Sequence, residues 1–121
     1  MSLDLVRELA SCLRGSVEAP AGCGKTHLIA SAVATSPERQ LVLTHTHAGV
    51  HAIRSTLRRL GAGKGARVDT IAGFALRFAS AYPKTSRLLV SQPRSDEEWE
   101  SVYAAAVRVL DSSVGASVLR A

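Results

Sequence analysis

The sequence has few aromatic residues, few cysteines and no long apolar run. Phe, Trp and Tyr make up 4% of its 121 residues, so it offers no broad platform of rings on which bases could stack. Its two cysteines, Cys12 and Cys23, are too few for a disulfide framework and lack metal-ligand spacing, which leaves reduced thiols in a reducing compartment as the simple reading. No apolar stretch approaches the roughly 18 residues of a membrane span. The first residues, Met1-Ser2-Leu3-Asp4, lack the basic and apolar regions of a signal peptide. A cytoplasmic protein without a membrane partner is therefore expected. Internal repeats and low-complexity tracts are missing as well.

A hydrophobic content of 46% indicates a globular chain, long enough for one small domain with a modest core. Fifteen Lys and Arg against ten Asp and Glu give a formal charge of +5. That balance suits a polyanionic partner such as nucleic acid, although a generally basic soluble protein has the same balance.

The most informative stretch is Val17-Glu18-Ala19-Pro20-Ala21-Gly22-Cys23-Gly24-Lys25-Thr26. A short apolar run leads into a small-residue loop, and Lys-Thr then opens a helical pattern. This is close to Gly, four residues, Gly-Lys-[Ser/Thr], with Ala19 in the first place. Gly22 and Gly24 can adopt left-handed backbone angles and turn their amides inward as an anion nest. The following helix adds its partly positive N-terminus. Lys25 would reach the β- and γ-phosphates, and the Thr26 hydroxyl would ligate Mg²⁺.

Periodicity predicts a helix over residues 3–14 with Leu3, Val6, Leu9, Ala10 and Leu13 on one face. A short strand is expected over Ser16–Ala19, then a helix from Lys25 to about Ala34 with Leu28, Ile29, Ala32 and Val33 inward, stopped by Thr35-Ser36-Pro37. Gln40–Thr44 reads as a buried parallel strand. A helix to Leu60 follows, with Val50, Ile53, Leu57 and Leu60 inward and His51, Arg54 and Arg58 on its other face, beside Arg59. That basic face suits a phosphate backbone and equally suits solvent. Gly61 should cap this helix. Ala66–Asp69 is a third strand, and Thr70 begins a helix with Ile71, Phe74, Ala75, Phe78 and Tyr82 on one face, ended by Pro83. A short strand is possible at Leu88–Val90. Ser95 and Glu98 form a capping box for a helix to Leu110 that buries Trp99, Val102, Tyr103, Ala106 and Leu110, and Ser112–Ala121 starts another. Alternating strands and helices imply an α/β fold with a parallel sheet. Ligands bind at the carboxyl ends of such strands, where the phosphate loop, Thr44–His47 and Asp69–Gly73 all fall. His45, His47 and His51 lie near one another, but zinc wants a further ligand and neither cysteine is near. Phosphate contact, or plain exposure, suits them better.

With those stretches in register, the chain resembles the start of a superfamily 1 DNA helicase of the UvrD/Rep type. Residues 19–26 resemble the family's Walker A motif, 41–54 its motif Ia, and 68–77 its next DNA-contacting motif. Residues 95–121 form a helical segment that matches it more weakly. The resemblance implies a P-loop NTPase of the RecA-like kind, an α/β parallel sheet flanked by helices. It implies ATP hydrolysis coupled to movement on single-stranded or partly duplex DNA, with ATP and Mg²⁺ as cofactors. Ala19, Pro20, Ala21, Gly22, Cys23, Gly24, Lys25, Thr26 and His27 would then line the nucleotide, with Lys25 and Thr26 in the catalytic roles. Thr44, His45, Thr46, His47, Thr70 and Gly73 would meet DNA. The family usually has an aromatic where His45 stands, Asn-Lys where His47-Ala48 stand, and His where Ala72 stands.

Hydrolysis also needs a Walker B Asp-Glu and an arginine finger. Asp96-Glu97-Glu98 reads as a helix start, Asp111 continues a helical face, and Val68-Asp69 is a weak match. The expectation is an N-terminal portion of the first RecA-like domain, inactive alone, with an open sheet edge and with the second RecA-like domain as its missing partner. A different P-loop NTPase or kinase, or a non-catalytic nucleotide-binding remnant, are the alternatives.

Overall fold

The computed structural model describes residues 3–20, 22 and 24–120. Met1, Ser2, Ala21, Cys23 and Ala121 lie outside the described residues, as do the side chains of Leu3, Ala116, Val118, Leu119 and Arg120. The chain divides into two compact units, Met1–Thr70 and Ile71–Ala121.

The first unit contains α1 (Leu3–Ser11), α2 (Lys25–Thr35), β1 (Gln40–Thr44), α3 (His47–Arg59), a single 3-10 turn at Gly63–Gly65, and β2 (Ala66–Thr70). β1 and β2 pair in parallel, with Gln40 opposite Ala66 and Thr44 opposite Thr70. Parallel strands need a crossover, and α3 supplies it. Its apolar face carries Val50, Ile53 and Leu57 onto Val68 of β2 and Ala30 of α2, and Val33, Val42, Ala62 and Ala66 close the cluster. Thr46 caps the start of α3, its Oγ1 accepting from the Gly49 amide at 3.0 Å. Gly61, at φ 71°, ends the helix in the left-handed conformation, and the Ala62 amide donates back to Leu57.

Four expectations fail in this unit. Residues 15–20 form no strand, so among the described residues the sheet has two strands rather than three. The physical reason is local: Val17 is the one large apolar side chain there and stays 39% exposed, Gly15 is entropically costly to extend, and Pro20 has no amide to donate. Helix α1 stops at Ser11, and Leu13, expected inward, is 100% exposed. Ile29 and Leu60 also face outward. On β1, Leu41 and Leu43 remain 39% exposed, because the helices of this unit cover the face bearing Val42 and Val68.

The second unit is helical: α4 (Ile71–Ala81), α5 (Pro83–Ser86), α6 (Asp96–Leu110) and α7 (Ser113–Arg120). Ala75 and Ala79 of α4 meet Val102, Ala105 and Ala106 of α6. This seam of small residues lets the two helices approach closely, which leaves Ile71, Tyr103 and Leu110 exposed rather than inward as expected. Ser95 Oγ accepts from the Glu98 amide at 3.2 Å, while the Glu98 carboxylate reaches the Arg94 amide at 2.8 Å. The reciprocal half of the capping box has thus moved one residue outward. No strand forms at 88–90. Instead the buried Ser86 donates its hydroxyl to the Ala79 carbonyl (2.8 Å) and accepts from the Leu88 amide (3.2 Å), and its own carbonyl accepts from Arg108 Nε (2.7 Å). Among the described residues, no helix is long and apolar enough to cross a membrane.

Candidate functional site

The phosphate-loop candidates sit at the start of α2. Gly24 is its N-cap, with φ 80° and ψ 30°, and Gly22 has φ 82°. Both values lie in the left-handed region that side chains other than glycine rarely occupy. The Gly24 carbonyl accepts the first helical bond, from the Leu28 amide at 2.9 Å. No side chain caps the helix and no acidic residue lies in its first turn. Among the described residues, its first amides and its dipole thus have no capping side chain and no acidic residue in the first turn to meet them. A Cβ placed on Gly22 or Gly24 would meet nothing within 4 Å, so the loop faces open space. Gly22, Gly24, Lys25, Thr26 and His27 are all exposed, as is Pro20, and Ala19 is half-buried. Ala21 and Cys23, the other two loop candidates, lie outside the described residues. These features fit a phosphate group. For Mg²⁺ the loop offers the exposed Thr26 hydroxyl.

The position of this loop follows from lengths. Helix α2 has 11 residues and β1 has 5, each about 16 Å long. The turn Ser36–Arg39 is short and is tied by Gln40 Nε2 to Ser36 Oγ at 2.8 Å. Val33 of α2 and Val42 of β1 pack against the same core cluster, and an antiparallel return over these equal lengths would bring the loop toward the carboxyl ends of the strands.

The threonine candidates occupy those carboxyl ends. Thr44 and Thr70 are the last residues of the two strands and stand opposite each other. Thr46 follows at the start of α3, and its hydroxyl accepts from Gly49 while keeping its own proton to donate. Thr44 is half-buried, and Thr70 is buried at 6%. His45, Thr46 and His47 are exposed, so they are the side chains here most open to an external phosphate. Gly73 lies on α4 in the second unit. Among the described residues, no group of three His, Cys, Asp or Glu could hold a metal ion.

Sequence reasoning overlooked Gly49. A Cβ there would stand 2.5 Å from Thr44 Oγ1 and 3.2 Å from Thr46 Oγ1. The two hydroxyls converge on its backbone only because this residue has no side chain. Gly49→Ala sets an overpacking cost of about 1–3 kcal/mol against a helix-propensity gain of about 1 kcal/mol. A lower thermal midpoint, by several degrees, is the expected outcome in a circular dichroism melt. A raised midpoint would show that the hydroxyls are not held there.

The acidic candidates separate clearly. Asp96, Glu97 and Glu98 form the first turn of α6, and Asp111 is its C-cap, so none ends a strand. Asp69 is the one carboxylate on either strand. It is buried, and its Oδ1 accepts from the Thr70 amide at 2.9 Å.

No protein-family model, curated protein or solved structure matches the chain.

Proposed function

We propose that the chain, residues 1–121, is the ATP-binding portion of an ATP-dependent DNA helicase of the UvrD type, with a P-loop NTPase fold. The observation that carries this reading is the pair of left-handed glycines, Gly22 and Gly24, directly ahead of Lys25 and Thr26 at an uncapped helix start. Backbone amides and the helix N-terminus would bind the triphosphate. Lys25 would offset its β- and γ-charge, and Thr26 would hold Mg²⁺, which when bound supplies further charge neutralisation. Thr46, His45 and His47 would face the DNA backbone at the same end of the sheet.

Binding without turnover is the expected behaviour of this chain. Phosphoryl transfer to water needs a carboxylate or amide to orient the attacking water and a cation opposite it. Asp69 is buried at the end of β2 without a following Glu, since Thr70 comes next. The test pairs two assays on the purified chain. Fluorescent ATP in Mg²⁺ should bind and be displaced by unlabelled ATP. Phosphate release should stay at background with and without single-stranded DNA. Failure to bind nucleotide would overturn the reading of the loop, and steady phosphate release would overturn the assignment of an incomplete site.

A further inference from the structure

A strongly basic cleft is lined by none of the phosphate-loop residues. It measures about 620 Å³ and is lined by Arg39, His51, Arg54, Arg58 and Arg67, with no carboxylate among its described lining residues. Arg39 directly precedes β1, Arg67 is the second residue of β2, and His51, Arg54 and Arg58 follow one another on α3. Gly63, from the turn before β2, completes the rim. Four of the fifteen Lys and Arg residues of the chain thus converge on one cleft. The cleft starts at the amino ends of the strands, about 13 Å along β1 from Thr44.

We propose that this cleft binds the phosphodiester backbone of a nucleic acid, as a contact separate from the threonines at the carboxyl ends. Guanidinium groups gathered without a counter-charge repel one another until an anion joins them. Arg54 is held in place, with Nη2 donating to the Val68 carbonyl at 2.9 Å, and its remaining N–H groups stay available. His51 to Arg58 spans about 10 Å of helix, long enough to meet more than one backbone phosphate.

Three features favour a polymer over other anions. All five charged or titratable side chains are exposed, whereas a small ligand is normally enclosed by mostly apolar walls. The apolar lining residues Leu57 and Val68 are buried beneath the charges, so the cleft offers an acidic protein no exposed apolar anchor. The lining also lacks Phe, Tyr and Trp, on which bases stack, and Asn and Gln, which read adenine, so charge contact between its arginines and phosphates is its main chemistry. Binding should therefore be independent of sequence and steeply dependent on salt. The inference does not rest on the nucleotide reading of the loop.

The test is fluorescence anisotropy with labelled single-stranded oligonucleotides of different sequence, without nucleotide, between about 50 and 200 mM salt. In Arg58→Ala/Arg67→Ala the slope of log affinity against log salt should fall by about 1.4, two contacts' worth on a single strand. Affinity at the lower salt should drop about tenfold or more. Both side chains are exposed and hold no hydrogen bond to the fold among the described residues. Arg58→Gln/Arg67→Gln repeats the test with longer side chains retained. Arg7→Ala/Lys84→Ala removes the same charge elsewhere and should leave the slope unchanged. An unchanged slope in both cleft variants would overturn the proposal. So would displacement of the oligonucleotide by pyrophosphate, or by polyglutamate, as effectively as by unlabelled DNA at equal charge.

Discussion

Lys25→Ala is expected to weaken Mg²⁺-dependent ATP binding by about a hundredfold, ~2.8 kcal/mol, while the fold is unchanged. The size follows from the bonds at stake. A lysine shared between two phosphates makes charge-assisted hydrogen bonds worth about 1.5–3 kcal/mol each. The unchanged fold follows from its surroundings. Lys25 is exposed at the first residue of α2, alanine is the best helix former, and removing a cation from a helix N-terminus is favourable. Titration with a fluorescent ATP analogue, paired with a circular dichroism melt, separates the two effects. Equal affinity in wild type and variant would mean that the glycines and the helix start form an ordinary turn.

Leu57→Ala should have the largest effect on stability, about 2–5 kcal/mol. Leu57 is 2% exposed and touches a small cluster in which Ala30, Val50, Ile53 and Val68 are the other buried members. With so few neighbours on a two-stranded sheet, little can move in to fill the space. A loss of this size is a large share of the roughly 5–15 kcal/mol that holds most domains, and the midpoint should fall by roughly 10 °C. Amide exchange at Ile53 and Val68 reports on this unit, whereas the single tryptophan, Trp99, lies in the other. Leu13→Ala is the matched comparison. The sequence pattern places Leu13 in the core as firmly as Leu57, yet it is fully exposed, so its change should stay within about 0.5 kcal/mol. Equal losses at the two positions would contradict the burial pattern described for this unit.

That pair shows where local pattern succeeds. An apolar run of Leu, Val and Leu with a stop at Pro37 is enough to bound β1, and it reads the same in the chain and in the structure, Gln40–Thr44. Ser95 and Glu98 announce the start of α6 because a cap is a contact between near neighbours. Gly22 and Gly24 announce their left-handed angles for the same reason. The tail of the first helix is different. Leu13 continues the apolar period, but the helix has already ended at Ser11, and a period beyond a helix end places nothing.

By itself, the sequence determined the two strands that pair, the four helices α2, α3, α4 and α6 with most of their limits, and the residue types of the phosphate loop. All of these depend on interactions between residues a few positions apart. Only the tertiary structure decided which distant residues share a place. It set Thr44 opposite Thr70. It made Gly49 necessary by bringing two threonine hydroxyls onto its backbone, and gathered Arg39 and Arg67 beside the basic face of α3. Those placements follow from strand register and from how α3 crosses the sheet. A one-residue slip in either would leave every local pattern intact and scatter the arginines to different faces.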